Sequence, residues 1–540
     1  MGLLLSGASL SGCGRDVPDT VETLEVYCVD AGYGSEWCQV LLDLFEEQEW
    51  VQEKYPNLQI LPLRHNDVAT YAANRIDSGA NSNTIDLFFG TFLHSYAGTR
   101  TDGGELIVDL TNSVYNAQVP GEDILYKDKM LDSYYESNRY VDPLNPSAED
   151  KFYYTSWAGG MNGIIYNEEI LEQFGCDVPN TTDELLAICA LVMANEGLDN
   201  GRYNGGFSFM YSAKDTDYIS DYLLPVWWAQ YEGADGYRNF WNGLSENRRS
   251  VNIFRQMGRL YSLEAFADLV NYDTGYVTRS AATYGYMESQ TLMLRGNGVF
   301  HVNGDWFDIE MQSIRDQIEA EGGAQYTLKM MRTPVISAIV EKTPSVTAAA
   351  EATGITADEM LSNVIDAVDA GEDGYTGIDP DDYQTIREAR SIIHTAGPNH
   401  TAVIPSYAAG KDVAIDFLRF MATDIALEAY MRTTLGAGLP FEYNVKTKNP
   451  ELYASFSAIE QSRVDYFSDP NLEITILPSE NAFPLARYGG VDMFINDRYF
   501  STFGVSGTTV TPQDFYDQTW ESWNEPGRWE NACSQAGLPI

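Results

Sequence analysis

The side chains able to do chemistry are plentiful in this sequence, but their spacing builds none of the usual reactive sets. Five histidines, His65, His94, His301, His394 and His400, are scattered along the chain, with no HExxH pattern and no nearby cysteine to complete a zinc set. The acidic run 366–382 fails as a calcium loop: counted from Asp369, its third position is Gly371 and its twelfth is Pro380. A Gly-x-Ser-x-Gly elbow, a P-loop and a complete G-x-G-x-x-G are missing, so nucleophilic hydrolase, nucleotidase and dinucleotide readings have no starting point. Neither a catalytic residue, a metal nor a cofactor is expected. The rival that stays open is a secreted glycoside hydrolase, because 79 carboxylates can always supply an acid and a base.

What stands out instead is a set of flat rings beside polar groups at glycine-rich turns. Trp157 precedes Gly159-Gly160 and is followed by Asn162; Trp306 directly follows Asn303-Gly304-Asp305. Rings of this kind stack on the apolar faces of a sugar, and Asp, Asn, Glu or Arg bracket its hydroxyl pairs. Asp86, Tyr33, Trp227, Trp228 and Glu232 (in VWWAQYEG), and Phe483 and Arg487 (in AFPLARYGG), complete the candidates. Each has a plainer role available: a Trp after a strand packs a core, and Asp305 caps a helix beginning at Trp306.

The elements that must position these residues follow from periodicity. TLEVYCV at 23–29 alternates as a strand, and Trp37, Val40, Leu41, Leu44 and Phe45 recur at helical spacing after the loop Asp30–Ser35. LQILPLR supplies a second strand and TIDLFFG at 84–90 a third. Strands alternating with helices argue for a largely parallel, helix-covered sheet, whose ligands sit at the carboxyl ends of strands. The loops Asp30–Ser35 and Gly90–His94 are therefore the first-choice binding loops. FYYTSWAGGMNGIIYNEEILEQFG at 152–175 runs strand, glycine turn, strand and helix, and Thr181 with Glu184 forms a capping box for the next helix. GVFHVNGDW at 298–306 reads as a strand, 337–395 as a helical insertion, and Lys411–Met431 as an amphipathic helix interrupted near Asp424.

At 540 residues and 44% hydrophobic composition the chain is long enough for at least two cores. With 33 basic against 79 acidic residues the formal charge is −46, while 13% aromatic residues rule out a disordered acidic chain. A field of that sign disfavours nucleic acid and anionic lipid heads as partners. After Cys13 the cysteines are Cys28, Cys38, Cys176, Cys189 and Cys533, with no C-x-x-C pair. Cys28 and Cys38 could pair in an oxidising exterior, but a strand position followed by a helix position favours buried free thiols.

Four patterns carry a family resemblance. MGLLLSGASLSGC resembles the lipobox of bacterial lipoproteins, with Cys13 as the lipidated residue and 14–20 as a polar linker. YYTSWAGGMNGIIYNEEILEQFGCDVPNTTDEL, LRGNGVFHVNGDW and IPSYAAGKDVAIDFLRFMATDIALEAYMRTTLGAGLPF are similar to successive segments of the extracellular solute-binding proteins of ABC importers, the family that includes maltose- and oligosaccharide-binding proteins. The chain is longer than a usual member, 337–395 has no counterpart in that pattern, and the last hundred residues match loosely. The resemblance implies an α/β, two-lobed periplasmic-binding-protein-like fold with a hinge and an interlobe ligand cleft. It implies crossings near 158, 304 and 398: a signal and linker at 1–21, lobe I from 22–157 and 305–398, and lobe II from 158–304 and 399–540. It further implies a monomer held by a lipid anchor on the outer face of the cell membrane, serving permease subunits, with a sugar, or else a peptide or polyamine, between the lobes.

Overall fold

The computed structural model describes residues 22–30, 32–65, 70–91, 93, 105–140, 149–194, 206–215, 217–271, 273–395, 397–480, 483–492 and 510–540. Cys13, its linker and His94 lie outside these residues.

The strands in chain order are β1 (Thr23–Val29), β2 (Gln59–His65), β3 (Leu87–Thr91), β4 (Thr155–Ser156), β5 (Asn162–Asn167), β6 (Phe207–Met210), β7 (Leu244–Ser245), β8 (Arg248–Arg249), β9 (Gly298–Gly304), β10 (Leu328–Met331), β11 (Ile392–Ile393), β12 (His400–Val403) and β13 (Thr475–Ile476). They build two main sheets. The first has the order β2-β1-β3-β12-β4, with β1 parallel to both β2 and β3 and β12 running antiparallel to β3. The second has the order β10-β5-β9-β6, with β5 antiparallel to β9 and to β10. The architecture is therefore α/β with two lobes, each built on its own sheet.

In the first lobe, β1 and β3 are buried, as their apolar runs require of a sheet covered on both faces. β3 starts at Leu87, later than the expected 84, because Asn83 turns the chain: its Oδ1 accepts the Ile85 amide at 3.2 Å. The helices Glu36–Glu46 and Lys411–Phe420 cover this sheet through Trp37, Phe45 and Phe417, whose rings meet edge to face at Phe45–Phe417 (5.3 Å) and at Trp37–Phe89 (5.3 Å). The amphipathic stretch breaks near Asp424, where Thr423 accepts the Ala426 amide and starts a second helix, Asp424–Thr433.

In the second sheet the two-residue period separates two faces. Ile164, Phe300, Val302 and Phe209 join a core with the helix Leu224–Glu232, whereas Ile165, Met330 and Met210 face the helices Tyr286–Leu294 and Phe307–Ala320.

Strand pairing redraws the lobe boundaries. β10 (328–331) pairs with β5 in the second sheet, so the passage at 304 stays within one lobe; the sequence assigned 305–398 to lobe I. β12 (400–403) pairs with β3 in the first sheet, against the assignment of 399–540 to lobe II. The chain crosses between sheets at 157–161 and at 394–400. It returns after the helix Asp424–Thr433, reaching the helix Ala458–Ser468, where the Ser462 hydroxyl accepts the Met330 amide of β10 at 3.0 Å. The 337–395 segment is helical as expected (Pro344–Thr353, Ala357–Asp369, Pro380–Ser391), but its Leu361, Val364 and Ile365 are buried in the core of the second lobe. Asp369 holds Arg390 at 2.6 Å and Arg332 at 3.0 Å, tying the last turn of the middle helix to its neighbour and to the end of β10.

Candidate functional site

The carboxyl ends of β1, β4 and β9 converge where the chain crosses between the sheets, and the side chains there form one connected group. Tyr33, in the loop after β1, donates to the Asp305 carboxylate at 2.8 Å and approaches the Gly159 carbonyl oxygen at 3.2 Å. The other Asp305 oxygen accepts the Gly438 amide at 2.6 Å and lies 3.7 Å from Arg463 Nε. Arg463 also pairs with Glu460 at 2.8 Å. Burial pushes the Asp305 and Glu460 carboxyls above their ordinary range, with Arg463 opposing the rise in both. Burial lowers the Arg463 pKa, but Glu460 and Asp305 outweigh it and hold the guanidinium above its usual value.

Glycine is required where these segments touch. At Gly160, with φ +102°, a Cβ would lie 2.2 Å from the Asp305 carboxylate, and at Gly438 it would lie 2.1 Å from the Gly160 nitrogen. Two backbones and a buried carboxylate are thus packed in contact at the crossing.

Around this knot stands a series of rings. Trp306 meets Tyr33 edge-on at 6.0 Å on one side, and Tyr222 at 5.8 Å and Tyr218 at 6.4 Å on the other. Tyr218 in turn stacks with Tyr286 at 6.4 Å. Exposure rises outward along the series: Tyr33 is 3% exposed, Trp306 6%, Tyr218 and Tyr222 are half-buried, and Tyr286 reaches 37%. His394 stacks on Tyr222 at 5.4 Å, and its Nδ1 lies 3.0 Å from Asn162 Oδ1. Burial pulls the His394 pKa down to about 3, so its ring is neutral. The buried Asn162 Nδ2 has no hydrogen-bond partner among the described residues. Glu310, accepting from Gln290 at 3.1 Å, is pushed up by burial to about 7, and burial, with the Glu310 charge adding to it, raises the Tyr286 hydroxyl.

Tyr33, Asn162, Asp305 and Trp306 are thus brought together at the junction. Trp157 is adjacent but turned inward: it stacks on Trp37 at 4.7 Å, and its Nε1 donates to the Gly90 carbonyl oxygen at 3.2 Å. Arg487 spans the junction at another point, with Nη2 3.3 Å from the hydroxyl of first-lobe Tyr154; Phe483 packs against the second core.

Four candidates are placed elsewhere. Trp228 is fully buried among Tyr237, Phe240 and Trp241, donating to Gln256 at 2.7 Å, and its neighbour Trp227 donates to Pro334 O in the same core. Glu232 accepts the Gly258 amide at 2.8 Å at the start of the helix Met257–Val270. Asp86 sits at the amino end of β3, accepting the Glu25 and Gly410 amides at 2.9 and 2.8 Å, so it fastens β1 and the helix Lys411–Phe420 at the far end of the sheet. Sequence reasoning missed Tyr218 and Tyr222, whose signal was present in DTDYISDY: an i, i+4 aromatic pair among acidic residues, next to the louder WW dipeptide. No group of three or more potential metal ligands occurs among the described residues. No described helix is long and apolar enough to cross a membrane.

The chain aligns over 93% of its length with 99% of a family 1 extracellular solute-binding protein from Bifidobacterium longum subsp. infantis, at 14% identity and a TM-score of 0.51. It aligns over 96% of its length with the whole of an ABC substrate-binding protein from Listeria monocytogenes solved with cycloalternan (12% identity, TM-score 0.53). A third similar structure is the GacH receptor of Streptomyces glaucescens, solved unliganded and with acarbose, which matches over 94% of this chain and 98% of its own (14% identity, TM-score 0.52). The fold is that of a two-lobed solute-binding protein. No protein-family model matches the sequence, and comparison with curated proteins finds no match. All three similar structures are named as binding proteins or a receptor, not as enzymes.

Proposed function

We propose that this chain is the substrate-binding component of an ABC import system and that it captures a carbohydrate between its two lobes without transforming it. The observation that carries the reading is the outward-graded series Tyr33, Trp306, Tyr222, Tyr218 and Tyr286 at the lobe junction of this fold. Such rings present π-faces and edges to a sugar while Asn162, Glu310 and neutral His394 stand beside them as hydrogen-bonding groups. Steps of about 6 Å repeated from Trp306 to Tyr286 suit several linked sugar rings better than one. Asp305 is committed to Tyr33, Gly438 and Arg463, so in this reading it is a strut under the site and not an acid or base.

In the same proposal Cys13 carries the lipid that holds the protein on the outer face of the membrane, and the monomer delivers its solute to permease subunits. Similar structures solved with cycloalternan and acarbose support the ligand class. The test is incubation of the purified chain with neutral oligosaccharides, followed by both melting and product analysis. A ligand that binds only the folded state raises the melting temperature by mass action, and the sugar is recovered intact. Release of new reducing ends contradicts the binding-only reading, and a melting rise with amino acids or polyamines alone contradicts the sugar.

A further inference from the structure

Two buried histidines stand near the ring series, and their partners differ. His301, on β9, has both ring nitrogens engaged: Nδ1 lies 2.7 Å from the Val302 carbonyl oxygen and Nε2 lies 2.9 Å from Ser289 Oγ. His394 has one engaged. Its Nδ1 lies 3.0 Å from Asn162 Oδ1, and its Nε2 has no hydrogen-bond partner among the described residues. The backbone fixes this pair where two crossings meet: the Asn162 amide, at the start of β5, donates to the His394 carbonyl oxygen at 2.8 Å. The imidazole stacks on Tyr222 at 5.4 Å, and His394 keeps 9% of its surface exposed against 1% for Asn162, so it is the outer member of the pair.

A carboxamide oxygen can only accept, so the proton of this pair sits on His394 Nδ1. Burial keeps the ring neutral, and a neutral imidazole that carries its hydrogen on Nδ1 has a lone pair on Nε2. We infer that His394 is a specificity-determining residue whose Nε2 accepts a hydroxyl hydrogen from the bound sugar, and that Asn162 acts through it as a positioning residue that fixes the tautomer.

The inference rests on the proposed sugar site and narrows the class of sugar it takes. A saccharide with a free hydroxyl at this position donates to Nε2. One with a methyl ether or a carboxylate there presents only lone pairs to a lone pair and is refused, as a site built to hydrogen-bond a hydroxyl refuses an analogue without one. The stack on Tyr222 and the backbone bond to Asn162 hold the ring in place, so the acceptor is set before the sugar arrives.

The test reads the tautomer first, without sugar. The full chain is labelled with ¹⁵N-histidine and long-range ¹H–¹⁵N spectra are recorded near neutral pH, with His394→Gln identifying the His394 signals by their loss. The expected result is a protonated Nδ1 and an unprotonated Nε2. Asn162→Leu should release the tautomer and raise the share protonated on Nε2, which a merely structural role for Asn162 would not do. The chain is then titrated with neutral oligosaccharides, cycloalternan first, and the strongest binder is carried forward. Saturation should move the Nε2 signal to lower frequency, as accepting a hydrogen bond does. His394→Leu, which keeps bulk but no lone pair, should bind that sugar about tenfold more weakly, with His394→Gln in between. An Nε2 that is protonated, a signal unmoved at saturation, or a folded His394→Leu that binds like wild type would each overturn the inference while leaving the sugar site standing. Should His394→Leu fail to fold, the wild-type spectra decide. No binding of any oligosaccharide would remove the sugar site and the inference with it.

Discussion

Trp157 and Trp306 have the same side chain and flank neighbouring segments, yet their surroundings give them different roles. One face of Trp157 is stacked on Trp37 and its nitrogen is bonded to the backbone at Gly90, so removing the ring opens a cavity under the junction. Trp157→Ala is expected to cost about 3–5 kcal/mol of stability, read as a lowered denaturant midpoint. Trp306 stands between Tyr33 of the first lobe and Tyr218 and Tyr222 of the second, and Trp306→Ala is expected to weaken sugar binding by about 2 kcal/mol or more, measured by titration. A variant that binds normally but unfolds early would make Trp306 a core residue too. Two histidines give a pH dependence with a definite sign. Burial holds His394 at about 3 and His301 at about 4, against about 6.5 in an unfolded chain. The unfolded chain then binds protons that the folded chain refuses, so this contribution is complete above about pH 6.5 and is lost as pH falls through it towards the folded values. Glu310, raised to about 7, acts in the opposite sense and offsets part of the loss. The raised Asp305 and Glu460 carboxyls act in the same sense as Glu310, so the histidine contribution is read by difference: on going from about pH 7.5 to pH 5 the urea midpoint of the wild-type chain should drop relative to that of His394→Gln, and an equal change in both would remove His394 from the account.

At the scale of elements, the crossing at 157–161 depends on glycine. Gly160→Ala places a Cβ 2.2 Å from the Asp305 carboxylate at a φ of +102°, so the Tyr33–Asp305–Gly438 contacts must part. The expected outcome is a loss of at least about 1–3 kcal/mol together with a larger radius of gyration in solution scattering. An unchanged radius and midpoint would show that the knot is slack.

This is also the scale at which the sequence was most and least legible. The alternation in TLEVYCV, the glycine turn at 159–160 and the break near Asp424 are local signals, and the structure carries each of them. Lobe membership of 305–398 and 399–540 was not local: it depends on β10 finding β5 and β12 finding β3, pairings between segments more than a hundred residues apart. The site was legible in part for the same reason. Tyr33, Asn162, Asp305 and Trp306 sit beside recognisable turns, whereas Asp86 and Glu232 are occupied by amides supplied from distant segments. Trp228 looked like a ligand wall only because nothing in VWWAQYEG reveals the ring of aromatics packed around it.

For the molecule as a whole, two sheets meet at a glycine-rich junction, and in the proposed reading the crossings there are where the lobes close on a ligand. The formal charge of −46 makes the compact chain repel itself. Raising ionic strength should therefore raise the melting temperature of the unliganded chain, and a salt-independent melt would contradict that self-repulsion.

The central claim, capture of a carbohydrate at the ring series, is tested most directly by calorimetric titration of the intact chain with neutral oligosaccharides, in parallel with a Tyr218→Ala, Tyr222→Ala double variant. The account predicts saturable one-to-one binding to the wild-type chain that is lost in the double variant while its unliganded melt stays close to wild type. Binding that survives removal of both rings, or no heat from any saccharide while a peptide or polyamine titrates, would contradict it.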